Sequence, residues 1–347
     1  MPHSRPTAPP TRPLLAHAAQ VLRAGGLVAV PTETVYGLAA DASNPAAVRR
    51  IFAAKGRPAD HPLIVHVPDL AALPQVADRV PPWAWALAAR FWPGPLTLVL
   101  PRTDRVSPEA TAGLPTVGVR VPDHPLTRAL LYALGGWVAA PSANRFRAVS
   151  PTTAAHVRRD LGDRVDLILD GGPCAVGVES TICDATGAAP RVLRPGAVSA
   201  AQIAAVTGLP VTRAGDDDPV RAPGQLAAHY QPRAAVEVVS ANGLRARAET
   251  LSAQGLTVYV VARTGASLSL DAPEMARGPL PPELPWRGEL TGDRAEALAR
   301  RLYAALRAAD DAGADVVLVE RPAPGGIGDA LLDRLQRAAH GDRLRRR

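Results

Sequence analysis

The sequence predicts an α/β protein of two domains. Short apolar runs of strand length recur along the chain, among them Leu27 to Val30, Leu63 to Val67, Leu96 to Leu100 and Val316 to Val319. Segments with helical spacing lie between them, as in LLAHAAQVLRA from Leu14 to Ala24. The chain has 347 residues, more than one typical core holds and suited to two. A stretch rich in Pro, Gly and Asp, GLPVTRAGDDDPVRAPGQLAAHY from Gly208 to Tyr230, marks the boundary. The expected organisation is a disordered tail at 1–13, a first domain at 14–207, a linker at 208–233 and a second domain at 234–347.

The composition narrows the function classes. Hydrophobic residues make up 47% of the chain, enough for a sizeable core, while aromatics are only 4%, so Ala, Leu and Val must fill it. The net charge of +7 fits either nucleic acid or anionic small molecules such as ATP. No stripe of basic residues with interleaved aromatics favours the former. Two cysteines, Cys174 and Cys183, make no disulfide framework and no CxxC zinc site, and read as reduced thiols in or near the core. No apolar run is long enough to cross a membrane, and the tail lacks the apolar segment of a signal peptide. A cytoplasmic location is expected.

The first domain opens with the helix at Leu14 to Ala24, stopped by Gly25-Gly26. A buried strand follows, ended by Pro31. The loop after it carries Thr32, Glu33, Thr34 and Tyr36, and Gly37 permits a tight turn. Asp41, Ser43 or Asn44 caps the next helix, with Pro45 at its first position and Val48, Ile51 and Phe52 inward. That helix delivers Lys55-Gly56-Arg57-Pro58, either a solvated terminus stabilised by the helix dipole or a pair of cations aimed at a ligand. The strand Leu63 to Val67 comes next. Further on, TVGVRV from Thr116 to Val121 puts Val117, Val119 and Val121 on one face and Thr116, Gly118 and Arg120 on the other. Arg120 belongs either to an exposed edge or to a site that pairs with a carboxylate or phosphate. Ser142 and Asn144 stand just past a strand end, where they either bind phosphate or form a turn. Ser150 lies near the start of a helix running to Arg159, and a helix N-terminus favours an anion.

In the second domain Val236 to Val239, Thr257 to Val261 and Val316 to Val319 read as strands, and Glu296 to Ala309 as an amphipathic helix. Gly326-Ile327-Gly328-Asp329 opens a last helix with Leu331, Leu332 and Leu335 inward. Alternating strands and helices imply a small Rossmann-like sheet. GGIGDA is not GxGxxG and lacks the Walker lysine.

PTETVYGL, KGRP, PLIVHV, WPGPLT, SANRFRAVSPT, ESTI and APGQLAAHY, in this order and spacing, resemble the YrdC/Sua5 family. The resemblance spans most of the chain, and the part after the linker is similar to the long, Sua5-type members. It implies a YrdC-like twisted mixed sheet with flanking helices and a concave cleft, plus the smaller Rossmann-like domain. It also implies synthesis of threonylcarbamoyl-adenylate from L-threonine, bicarbonate and ATP, which feeds the t6A modification of tRNA through a downstream threonylcarbamoyl transferase. By resemblance, Lys55, Arg57, Ser142 and Asn144 surround the triphosphate and bicarbonate. Thr34, His66, Arg120, Ala140 and Ser180 hold threonine. Arg57, His61, Thr116, Ser142, Ser150, Arg194 and Tyr230 hold ATP, with the linker folding over the site. Magnesium enters with the ATP phosphates, and Asp170 and Glu179 are the carboxylates nearest to a protein ligand role. Arg145-Phe146-Arg147 replaces the small residues usual in relatives, and His61 stands where relatives often carry Asn. A double-stranded RNA-binding module of the same fold is the alternative.

Overall fold

The computed structural model describes residues 12–215, 223, 228–263, 278–279, 287–292 and 294–340. Most of the expected tail and most of the linker lie outside these residues. The chain forms two compact units. One is built from residues up to Phe146 with Ser150–Ala175 and Glu179–Gln225, the other from Arg147–Val149, Val176–Val178 and the chain from Leu226 onward.

The first unit begins with helix α1 (Arg12–Arg23), which buries Ala18, Ala19 and Leu22. Strands β1 (Val28–Val30) and β2 (Gly37–Asp41) follow as an antiparallel pair. Gly37 therefore starts a strand, opposite Val30, where the sequence suggested a turn. Residues 31–36 make the reversal, and the small side chains of GLAAD give no strand pattern to read. Helix α2 (Pro45–Lys55) is capped by Asn44, whose side chain accepts from Ala46 and Ala47, and is closed by Gly56 at φ 62°. Strand β3 (Ile64–His66) leads through a short turn to α3 (Leu73–Val76), α4 (Pro82–Phe91) and β4 (Leu96–Pro101). Then come β5 (Thr116–Arg120), α5 (Pro125–Leu134), β6 (Val138–Ala139), α6 (Ala154–Leu161), β7 (Leu167–Ile168), β8 (Thr181–Asp184), β9 (Arg191–Arg194), α7 (Ala200–Thr207) and β10 (Thr212–Arg213). The stretch expected as a linker thus begins as a sheet edge, with β10 parallel to β9.

These strands make one mixed sheet in the order β10-β9-β8-β4-β5-β3-β6-β2-β1-β7. Its alternation separates two faces. Leu98, Val117, Val119 and Val65 enter the main core with Ile51, Leu73 and Leu87. Ile64, Val99, Ile182 and Leu193 form a smaller cluster apart from that core. Thr97, Gly118 and Arg120 alternate with the core residues of β4 and β5, and so belong to the second face.

In the second unit, β11 (Ala235–Val239), α8 (Leu244–Ala253), β12 (Val258–Ala262), β13 (Gly278–Pro279), β14 (Arg287–Leu290), α9 (Ala295–Asp311), β15 (Val316–Glu320) and α10 (Ile327–Ala339) follow one another. The sheet order is β11-β15-β12-β14-β13, parallel except for β13. This is the Rossmann-like arrangement expected, with α8, β13 and β14 added. In β14, a Cβ on Gly288 would lie 2.0 Å from the Val260 carbonyl oxygen, so only glycine permits this pairing. The Gly325-Gly326 turn is satisfied from within, the Gly325 N–H reaching Asp329 at 2.7 Å.

Candidate active site

Lys55 ends α2 and is buried. Its ammonium donates to the Asn144 carbonyl at 2.6 Å and to the Ser142 carbonyl. The Lys55 carbonyl in turn accepts from the Phe146 N–H at 2.9 Å. One residue thereby holds the 142–146 loop from both sides. Burial, then repulsion from Arg57, pushes Lys55 well below the ordinary lysine value, with Asp160 opposing. The reading of KGR as a solvated helix end therefore does not hold for Lys55. Arg57 turns back to the carbonyls of Pro62 at 3.1 Å and His61 at 3.4 Å. The His61 and Phe146 rings lie 5.9 Å apart, which gives the unusual Phe146 a neighbour. Ser142 bridges to Gly37, and the Asn144 side-chain amide donates to the Arg145 carbonyl at 2.8 Å.

A second group forms where β3 and β5 pair. His66 and Arg120 are register partners on these parallel strands, and both are buried. Arg120 donates from Nε to the Gly94 carbonyl at 3.1 Å and from Nη1 to Thr34 Oγ at 3.0 Å. Its Nη2 lies 2.6 Å from Glu33 Oε1. That contact is an ion pair without an aligned hydrogen bond, because both atoms, with His66 Nδ1, lack a hydrogen-bond partner. Burial and the Arg120 charge lower the His66 pKa to about 3, so its ring is neutral at physiological pH. Two charged side chains and a histidine buried together at the β3–β5 pair and the adjoining 31–36 loop make a polar pocket in an otherwise apolar sheet. Ala140 is held beside this group by its N–H on the Ile64 carbonyl at 2.9 Å.

A third group sits at β8 and β9. Ser180 Oγ is 2.8 Å from Thr97 Oγ, and Arg194 donates to the Ser180 carbonyl at 2.9 and 3.1 Å and to its hydroxyl at 3.2 Å. Arg194 Nη1 also reaches the Pro223 carbonyl at 2.9 Å. A cleft is lined by Ile64, Thr97, Thr116, Gly118, Ile182 and Pro223, so it shares Thr97 and Pro223 with this group. Thr116 heads β5 at its edge.

Three further expected positions are placed as follows. Thr153 caps α6, accepting from the His156 N–H at 3.3 Å, and the buried Ser150 just before it donates to Glu179 at 2.6 Å. Asp170 and Glu179 are each already engaged, Asp170 by the Gly172 N–H at 3.1 Å and Arg158 at 3.8 Å, Glu179 by Ser150. Among the described residues no three His, Cys, Asp or Glu side chains gather as a metal site. Tyr230 lies in the second unit, at φ 59°, with its ring stacked 5.7 Å from Tyr303 and the Arg334 guanidinium 5.2 Å from its centroid. Glu33 was missed, since a lone carboxylate in a polar loop reads as a surface group. Its only signal was the two hydroxyls beside it in PTET. Both thiols are buried and pushed up to about 12 by that burial, as expected of inert core cysteines.

The fold and site define an α/β enzyme with buried cationic side chains, Lys55, Arg120 and Arg194, beside a mixed sheet. The Sua5/YciO/YrdC family model, described as telomere recombination, matches residues 20–196. The model of the threonylcarbamoyl-AMP synthase C-terminal domain matches residues 198–340. The chain belongs to this family. It is 42% identical to the threonylcarbamoyl-AMP synthase of Pyrococcus abyssi, over 93% of each chain. It is 40% identical to that of Bacillus subtilis, over 96% of this chain and 95% of the relative. The crystal structure of P. abyssi Sua5 complexed with L-threonine superposes with a TM-score of 0.85 at 39% identity, covering 96% of both chains.

Proposed function

We propose that this chain synthesises L-threonylcarbamoyladenylate from L-threonine, bicarbonate or CO2 and ATP, releasing pyrophosphate, as the first step of tRNA t6A modification. The observation that carries this is the full-length likeness to Sua5 complexed with L-threonine, together with the buried Arg120, His66 and Glu33 side chains. Full-length relatives named as enzymes leave the RNA-binding alternative without support.

The reaction needs no covalent nucleophile. The threonine amine attacks CO2 to give N-carboxythreonine, whose carboxylate attacks the α-phosphorus of ATP as pyrophosphate leaves. The protein must hold several anionic groups together and stabilise charge on phosphate. Arg120 takes the threonine carboxylate, with Thr34, Ser180 and neutral His66 as polar partners and Ala140 beside them. Lys55 fixes the 142–144 loop, so that Ser142, Asn144 and Arg57 face the triphosphate and bicarbonate. Thr116, His61, Ser150 and Arg194 complete the ATP subsite; most of 208–233, expected to close over it, lies outside the described residues. Asp170 and Glu179 are already engaged by protein donors, so magnesium would accompany the ATP phosphates, and no step here runs through it. The product passes to a threonylcarbamoyl transferase. Among the described residues no helix is long and apolar enough to cross a membrane.

Pyrophosphate release from ATP, measured with and without L-threonine, tests the reading. Threonine-dependent release is expected. Release without that dependence, or none from folded protein, overturns it.

A further inference from the structure

Glu33 has a place in the site that the substrate roles above leave unused. Its carboxylate is buried and fixed at one end, where Oε2 accepts from the Asp123 N–H at 3.0 Å. At the other end Oε1 lies 2.6 Å from Arg120 Nη2 with no aligned hydrogen bond. The remaining arginine donors are anchored by Gly94 and Thr34. The guanidinium is thus held by protein on two sides, and its Nη2 faces the Glu33 carboxylate on the third. A plus and a minus charge stand side by side, and together they are neutral.

Neutrality matters because of what else the cleft must bind. Lys55, Arg57 and Arg194 are further cations of the same unit, and ATP, bicarbonate and pyrophosphate are all anions. A buried arginine without a counter-ion would compete for any of these oxyanions. L-Threonine differs from them in being a zwitterion of no net charge. We infer that Glu33 is a specificity-determining residue: by neutralising Arg120 it reserves this end of the cleft for a zwitterionic amino acid and keeps oxyanions out. The inference rests on the functional reading above. Glu33 does so by position and charge, without a chemical step of its own. An opposite charge within about 4–6 Å is worth roughly one to three powers of ten in an ionic equilibrium, so its loss is a large effect.

The test uses the full chain, titrated calorimetrically with L-threonine in chloride buffer and again with added inorganic phosphate. Wild-type affinity is expected to be insensitive to phosphate. In Glu33→Gln the apparent threonine affinity is expected to fall at least about tenfold when phosphate is added, competitively. A folded Glu33→Gln protein whose threonine affinity ignores phosphate overturns the inference, even if its affinity or stability is lower, because a purely structural counter-ion predicts that result. Should Glu33→Gln fail to fold, Glu33→Asp draws the charge back by one methylene. Partial phosphate sensitivity there supports the inference, and none overturns it. A wild-type protein that binds no threonine overturns the functional reading itself.

Discussion

Replacing Lys55 by Met keeps an unbranched apolar stem and removes the ammonium at its end. Two buried carbonyls, of Ser142 and Asn144, then lose their donor. Each orphaned buried acceptor costs about 1–3 kcal/mol. Removing a buried cation returns part of the cost of desolvating it. The acceptors win, because Met gives them nothing in exchange, and the expected net loss is about 2–4 kcal/mol. Unfolding in urea, followed by tryptophan fluorescence, measures this directly. The same loop carries Ser142 and Asn144, so turnover should fall by at least about a hundredfold, as when a transition-state donor is lost. A Lys55→Met protein within about 0.5 kcal/mol of wild type, the range of ordinary surface substitutions, would refute the claim that this lysine holds the loop.

Three further outcomes are expected. The His66 pKa falls from 6.5 in the unfolded chain to about 3 in the folded one, so the unfolded state binds the extra proton between those values. Stability therefore declines as pH drops from about 6.5 towards 3, by up to about 5 kcal/mol at roughly 1.4 kcal/mol per pH unit, and His66→Gln should flatten that part of an acid-unfolding curve. A Cβ on Gly118 would meet Thr97 Cγ2 at 3.3 Å and Ile64 Cγ1 at 3.7 Å, so Gly118→Val fills the cleft floor. It should raise the KM for ATP by at least about tenfold while costing about 1–3 kcal/mol of stability from overpacking. Tyr230→Ala should weaken ATP binding in an equilibrium titration if the linker tyrosine reaches the nucleotide, and unchanged affinity would make that segment a passive tether.

Much of the fold was legible where side chains alternate. TVGVRV separated Val117 and Val119 from Arg120 correctly, because strand periodicity needs no tertiary context. What it left open was Arg120's surroundings: its anchors come from Gly94, Thr34 and Glu33, on segments 26, 86 and 87 residues away along the chain. The strand Gly37–Asp41 was invisible for the opposite reason, since four small residues carry no pattern. Arg287–Leu290 was hidden by Gly288, a weak strand residue that close backbone packing requires. KGRP marked Lys55 correctly as a residue to watch, but its burial against two carbonyls depends on a loop 87 and 89 residues downstream. Site residues were named by motif resemblance, and the Arg120–Glu33 ion pair was not, because its acidic member sits in a loop without a periodic pattern.

The central claim is that bicarbonate carbon becomes the carbamoyl carbon joining threonine to adenylate. The most direct measurement is mass spectrometry of the product formed from ATP, L-threonine and carbon-13 bicarbonate. The account predicts a threonylcarbamoyl-adenylate ion that carries the label and is absent when threonine is omitted. An adenylate without the labelled carbon, or no threonine-containing adenylate from active folded protein, would contradict it.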